Sequence, residues 1–215
     1  PLYSSAASDV YKRQIYDLGP IIHGEYGGSE TIADRLWNQA FRLALRFALR
    51  HSAVIIAISS QTKSELSRLG VTSRIEVLNP PVRPIFFLGP RMAIRTDRPL
   101  VLGTVGALVS RKRFEKAIRT LKLLLKERIP SRLILCGSGP AERALKETAS
   151  QLGVQESVSF VRQTPEGIIH YYRAFDVLIY PSRYEGYGLP ILEAQACGIP
   201  VIVFSDAEIP KEVQA

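Results

Sequence analysis

Two glutamates, a Gly-aromatic-Gly triplet and a cationic loop are the residues of this chain whose types and spacing can do chemistry. Glu185 precedes Gly186-Tyr187-Gly188, and Glu193 follows after Leu189-Pro190-Ile191-Leu192. A helix is predicted to begin near Leu189, because Pro190 suits a first helical turn, where its missing N–H is no loss. Gly198 and Pro200 stop that helix. A helix start offers unpaired N–H groups and a partial positive charge, a ready seat for a phosphate. Gly186 and Gly188 let a ligand approach the backbone closely. Glu185 then stands just ahead of the anion seat, and Glu193 about one turn inside the helix. A diphosphate seated there leaves one glutamate beside the group on each side of it. On a nucleotide sugar those groups are the hexose and the ribose, whose hydroxyls a carboxylate can accept from. A second reading needs no ligand, since acidic residues favour helix N-termini through the dipole alone.

These residues need a scaffold, and the pattern around them supplies one. An apolar run at 177–180 precedes the loop 181–188, and a second at 201–204 follows the helix. Strand, loop, helix and strand in so few residues make a βαβ unit. The same alternation runs upstream. Strands are predicted at 100–105, 132–136 and 157–161. Helices are predicted at 114–127, from 141 to about 152, and at 165–174. In the first of these, Phe114, Ala117, Ile118, Leu121, Leu124 and Leu125 share one face. The expectation is an α/β domain with an open parallel sheet flanked by helices. Ligands of such sheets bind at the carboxyl ends of the strands, where the loops 106–113, 137–140 and 181–188 lie.

The first part of the chain reads less regularly. Residues 32–51 suit a long helix, with Ile32, Leu36, Ala40, Ala44, Phe47 and Ala48 as an apolar stripe. Arg35, Arg42, Arg46 and Arg50 fall opposite it. They read as a solvated basic face, or more sharply as a contact with an anionic lipid surface or acceptor. A strand is expected at 53–58 and another at 75–78. Thr62 and Glu65 have capping-box spacing for a short helix that Gly70 ends. Asn79-Pro80-Pro81-Val82 then breaks regular structure. Residues 1–14 resemble a translated cloning adaptor and are expected to pack on nothing. The division expected is a leader at 1–14, a first domain at 15–80, a linker at 81–98, and a second, α/β domain at 99–215.

Composition narrows the rest. The 215 residues carry a formal net charge of +8, which favours acidic partners without naming one. No apolar run is long enough to span a bilayer. The 2 cysteines, Cys136 and Cys197, lack metal-ligand spacing, so a reduced cytoplasmic protein is the default. Asp206 and Glu208 are close acids without a His or Cys companion, which is a weak cation signal.

The whole string from Glu185 resembles the signature of the retaining GT-B glycosyltransferases, above all glycosyltransferase family 4, the glycosyl transferases group 1. There a glutamate, seven residues and a second glutamate enclose Gly-aromatic-Gly. Ala194-Gln195-Ala196-Cys197-Gly198-Ile199-Pro200-Val201 matches the family segment next in order. The resemblance covers about Ile15 to the end of the chain, roughly the middle half of a family member. It implies a GT-B-like fold of two Rossmann-like domains, the first only partly present. It implies retaining transfer of a sugar from a UDP-, GDP- or ADP-sugar to a glycan or lipid-linked acceptor. No cofactor, metal or nucleic acid is implied, and the expected location is the cytoplasm, with peripheral contact at the inner membrane face as an option.

The same resemblance assigns residues. Glu185 and Lys112 become the catalytic pair, one orienting the sugar and the other gripping the diphosphate. Gly106, Arg111, Gly137, Ser138, Gly186, Tyr187, Gly188, Leu189 and Glu193 become donor contacts, with Arg162 and Gln163 near the base. Tyr16 and His23 fall on the acceptor side, Tyr16 standing where the family often has histidine. The loop Gly106-Ala107-Leu108-Val109-Ser110-Arg111-Lys112-Arg113 departs from the family's Gly-Arg-x-x-x-x-Lys-Gly at Ala107 and Arg113. Arg111 is the expected substitute for the missing arginine, although an extended loop would aim it away from Lys112. Arg113, at the helix start, is expected to be solvated. Other activities compete. A glycoside hydrolase also uses two carboxylates, one kept protonated, but Glu193 near a helix N-terminus is expected to stay ionised. A nucleotide-sugar epimerase shares the fold, and a nucleotide-binding subunit without turnover needs the same site.

Overall fold

The computed structural model describes residues 12–15, 39–40, 43–44, 47–49, 51–87, 98–162, 164 and 167–214. Strands β1 (Lys12–Ile15), β2 (Val54–Ala57) and β3 (Arg74–Val77) form a parallel sheet in the order β1-β2-β3. Its core is small: Ile55 and Ala57 of β2 pack with Leu49 and Leu66. The expectation that 1–14 pack on nothing is overturned at its end, where β1 pairs with β2. An edge strand needs only backbone groups on one side, so Lys-Arg-Gln shows no apolar pattern to read. Val10 and Tyr11 lie outside the described residues.

The described residues at 39–40, 43–44 and 47–49 are helical, within the predicted helix. The covered face differs from the predicted stripe, because Phe47 is 66% exposed and Leu49 only 2%. Periodicity finds apolar faces, and the β2 core selects which of them is buried. Helix α1 (Ser60–Arg68) follows β2, and its N-cap is Ser59, whose hydroxyl accepts from the Thr62 amide at 3.0 Å. The predicted Thr62–Glu65 capping box is therefore wrong by one turn. The cap lies a turn upstream, and Glu65 is left for another partner.

A 3-10 turn at Pro84–Phe87 carries the chain toward the second sheet. Phe86 is buried there, edge-on to Tyr172 at 5.4 Å between ring centres. The segment expected as a linker is thus anchored in the core beneath that sheet. Strands β4 (Leu100–Val105), β5 (Ser131–Cys136), β6 (Val158–Val161), β7 (Val177–Tyr180) and β8 (Val201–Val203) form a parallel sheet in the order β6-β5-β4-β7-β8. The helices between them are α2 (Glu115–Lys126), α3 (Glu142–Gln151), α4 (Ile168–Ala174) and α5 (Leu189–Ala196). Both faces are covered, as a parallel sheet requires. Leu102, Leu133, Leu135, Ile118 and Leu121 fill one side. Val101, Leu178, Tyr180, Tyr172, Phe175 and Ile191 fill the other. The predicted α/β architecture is what the chain adopts. Strand order reverses between β4 and β7, and the crevice beyond the carboxyl ends of those two strands is the switch point of the sheet.

Candidate functional site

Two loops meet at that switch point, 106–113 after β4 and 181–188 after β7. The turn after β5 braces the first of them. A Cβ at Gly137 would collide with the Gly106 carbonyl oxygen, and one at Gly139 with that of Leu108. The glycines let the backbones interlock: the Gly106 amide donates to the Cys136 carbonyl at 3.0 Å and the Leu108 amide to that of Ser138 at 2.9 Å. Gly137 and Ser138 therefore position the Gly106 loop, whatever else they touch.

The loop 106–113 is not extended. Ser110–Lys112 form a 3-10 turn, and Arg113 takes the left-handed conformation at φ 49° where the family pattern has glycine. The turn overturns the predicted alternation, and Arg111 and Lys112 converge on one carboxylate. The Lys112 ammonium donates to Glu185 Oε1 at 2.5 Å and to the Tyr180 hydroxyl at 2.9 Å. Arg111 Nη1 lies 3.3 Å from Glu185 Oε2 and donates to the Tyr184 carbonyl at 2.6 Å. Glu185 and Lys112 are only 6% and 7% exposed. Burial pushes the Glu185 carboxyl up, but the Lys112 and Arg111 charges and the hydrogen bonds from Lys112 and Ser182 outweigh it and hold the group below the usual carboxylate range. The Tyr180 hydroxyl is driven the other way, first by burial and then by the Glu185 charge. Two cations thus meet on one carboxylate.

Arg113 is not solvated. Its side chain is 15% exposed and paired with Asp206 at 2.6 Å, and it donates to the Pro181 and Ser182 carbonyls at 2.8 and 3.2 Å. Lys116 joins Asp206 at 3.1 Å. The acid that read as a weak cation signal is thus a clasp that ties Arg113 and α2 to the segment after β8. Hydrogen bonds from Arg113 and Lys116 hold its carboxyl down at about 2, against an ordinary value of 3.8. A depressed carboxyl stabilises the fold above its unfolded value and loses that contribution as pH falls through the folded one. The thermal midpoint of the parent chain should therefore drop more between about pH 5 and pH 2 than that of Asp206→Asn. Equal slopes would show that the clasp adds no stability.

Glu193 lies one turn into α5, whose N-cap is Gly188 in the left-handed region at φ 97°. Tyr172 donates to Glu193 Oε2 at 2.8 Å. Here the expectation of a carboxylate kept ionised by the helix start is overturned in direction. Burial raises the Glu193 carboxyl above its usual range, more than the Tyr172 hydrogen bond and the Arg83 charge lower it. Desolvation beats a helix terminus because it acts on the whole charge. Gly186 turns its carbonyl toward Thr62 Oγ1 of α1 at 3.4 Å, Tyr187 is buried, and Leu189 opens the helix.

The fold thus brings Gly106, Arg111, Lys112, Glu185 and Tyr180 to one crevice. Glu193 stands on the helix that leaves it. Tyr16, His23 and Gln163 lie outside the described residues. Arg162, just after β6, forms an ion pair with Glu142 at 3.4 Å. Sequence reasoning missed Tyr180 and Tyr172. Tyr180 had a signal, as the last residue of a strand entering the crevice. Tyr172 had none, since it lies 21 residues before its carboxylate. Among the described residues no cluster of His, Cys, Asp or Glu is arranged to hold a metal ion, and no helix is long and apolar enough to cross a membrane.

The family model described as glycosyl transferases group 1 matches residues 91–215. The GDP-mannose-dependent alpha-(1-6)-phosphatidylinositol monomannoside mannosyltransferase of Mycolicibacterium smegmatis is 34% identical over 190 residues, 80% of this chain and 49% of its own length. The D-inositol 3-phosphate glycosyltransferase of Mycobacteroides abscessus is 32% identical over 154 residues, 66% of this chain and 34% of its own length. The chain therefore spans half or less of these relatives. Among solved structures, WaaG, a glycosyltransferase involved in lipopolysaccharide biosynthesis, superposes with a TM-score of 0.72 at 20% identity over 97% of this chain and 59% of its own. HepE of Anabaena, in complex with UDP and glucose, gives 0.69 at 20% identity over 91% and 53%. These likenesses show a shared fold.

Proposed function

This chain belongs to the glycosyl transferases group 1 family, and on that premise we propose that it serves a glycosyltransferase whose donor is a nucleoside-diphosphate sugar and whose product retains the anomeric configuration. The observation that carries the reading is the Lys112–Glu185–Arg111 cluster. It joins two cations to one carboxylate, with Lys112 and Glu185 buried, at the switch point just ahead of the α5 N-terminus. A leaving diphosphate develops negative charge, and preorganised cations with helix N–H groups stabilise it best where water is excluded. Lys112 and Arg111 meet the diphosphate, with the amides near Gly188 and Leu189. Glu185, fixed between them, accepts from the sugar hydroxyls. Glu193, with one oxygen held by Tyr172, accepts from the ribose through the other. Gly106 and the Gly137-Ser138 turn shape the floor beneath the donor, and Gly186 and Tyr187 the wall. No cofactor is needed for this chemistry.

The acceptor is a glycan or a lipid-linked sugar, and the reaction runs in the cytoplasm, at the inner membrane face when the acceptor is lipid-linked. A relative named for a phosphatidylinositol monomannoside and a fold neighbour involved in lipopolysaccharide biosynthesis support that reading.

The test is calorimetry of the chain against UDP, GDP and ADP. One of them should bind with a Kd of about 1 μM to 1 mM, and failure of all three would overturn the reading. In the same series Glu185→Gln should leave diphosphate affinity undiminished, because it removes a negative charge and keeps both cations. Turnover of the sugar donor should fall at least about tenfold. Equal losses in both would move Glu185 from the sugar to the nucleotide.

A further inference from the structure

Among the described residues, helix α1 of the first sheet is joined to the second half of the chain by hydrogen bonds. The Ser60 amide donates to Glu212 at 2.7 Å, Thr62 Oγ1 to the Gly186 carbonyl at 3.4 Å, and the Tyr184 hydroxyl to Glu65 Oε2 at 2.9 Å. The third contact differs from the others, because Tyr184 is the residue immediately before Glu185. It is fully buried, and its two ends face opposite parts of the molecule. The hydroxyl end is held by Glu65, whose other oxygen accepts from Gln61 Nε2 at 3.3 Å. The backbone end is held by Arg111 at 2.6 Å and by the Ser182 hydroxyl at 3.1 Å, both on the carbonyl. On either side the backbone is pinned again: the Arg183 amide donates to the Arg111 carbonyl at 2.9 Å and the Glu185 amide to that of Glu208 at 3.0 Å.

We propose that Glu65 is a positioning residue for Glu185, acting across the two sheets through the Tyr184 hydroxyl. The reasoning is geometric. Taking the Glu65 acceptor from the buried phenol favours turning it or admitting water, because a buried hydrogen bond is then lost. Turning it moves the backbone one residue from Glu185, which Lys112 and Arg111 hold from the opposite side. The loop is therefore set by a pull from each half of the molecule. Detaching the first half leaves the sugar-facing carboxylate on a looser support, while Glu193, anchored by Tyr172 within the second half, keeps its place. The expected consequence is a split between recognition of the sugar and of the nucleotide. This inference rests on the donor reading above only in its second readout.

The first readout needs no ligand. Amide hydrogen exchange at Arg183 and Glu185 should be about 5- to 30-fold faster in Glu65→Ala and in Tyr184→Phe, as expected for losing one buried hydrogen bond from a local opening. Amides of Leu178 and Ile179 in β7 should exchange as in the parent. Glu65→Gln, which keeps an acceptor for the phenol, should restore parental exchange at both loop amides. Unchanged exchange at Arg183 and Glu185 in both disruptive variants would overturn the proposal. So would acceleration spread evenly over β7, which would make Glu65 a general stabiliser. In the second readout, the affinity of the nucleoside diphosphate should hold within about twofold while the extra affinity or turnover contributed by the sugar falls about 5- to 30-fold. Equal losses for diphosphate and sugar donor would also overturn it. If the parent chain binds no nucleoside diphosphate, the donor reading falls, and the exchange experiment still decides the strut.

Discussion

Lys112→Ala is expected to destabilise the fold by about 3 kcal/mol at pH 7, the low end for breaking a buried ion pair, because Arg111 stays behind. Glu185 is 6% exposed, and without the ammonium its remaining cation is Arg111, at the looser distance of 3.3 Å. The deficit should depend on pH in a defined direction. In the parent the Glu185 carboxyl sits below its usual range, so its contribution is present above the unfolded value and is lost as pH falls through the folded one. Removing Lys112 leaves burial as the largest influence and raises the carboxyl. The gap between variant and parent should therefore be widest at neutral pH and narrow as pH falls and Glu185 takes up its proton. Denaturant titrations at several pH values check this. Adding Glu185→Gln to Lys112→Ala should recover most of the loss, since no buried charge then lacks its partner. A deficit that ignores pH, or that the second change does not relieve, would mean that Lys112 acts through its contact with the Tyr180 ring, whose centre lies 4.9 Å from the ammonium. In a protein competent for turnover, Lys112→Ala should also lower kcat by about 10²- to 10³-fold, the usual effect of losing one donor to developing charge.

Glu193→Gln is expected to weaken nucleoside-diphosphate binding by about 10- to 150-fold, the equivalent of one hydrogen bond to a charged group. The same change should not harm the fold. The Glu193 carboxyl is raised by burial, so the folded state holds its proton to higher pH than the unfolded chain does. A raised carboxyl disfavours the fold as pH climbs through that window, and a neutral glutamine removes the penalty. The variant should thus be at least as stable as the parent at pH 7 while binding far less tightly. Affinity of the parent should also begin to fall, on acidification, at a higher pH than a solvated glutamate would give. Unchanged affinity with an intact fold would leave Glu193 a helix-start residue and no more. Lost stability together with lost affinity would mean that the charge on the Tyr172–Glu193 hydrogen bond also supports the fold.

What the sequence determined by itself is local. A parallel strand buried on both faces is a short unbroken apolar run, so Val177–Tyr180 and Leu100–Val105 could be read directly. Pro190 and Gly198 bound α5 through their own backbone chemistry. Glu185, Gly186, Gly188 and Glu193 sit within one turn and one loop, and their spacing alone puts two carboxylates about a helix start. Tertiary structure decided everything that depended on competition between distant partners. Strand order put β4 beside β7 and so turned two loops far apart in the chain, with Lys112 and Glu185 separated by 73 positions, into one crevice. Arg111 reached the carboxylate because the loop closed a 3-10 turn, and Arg113 was drawn to Asp206, which no spacing rule could foresee. Ser59 took the helix cap and left Glu65 for Tyr184, across the two sheets. The Glu193 carboxyl was raised where its place on the helix favoured lowering it, because burial outweighed the Tyr172 hydrogen bond and the Arg83 charge. Helix starts, caps and apolar runs are set by a few neighbouring residues. The protonation and the partner of a buried charge are set by whatever the fold packs against it, and that is specified only by the whole chain.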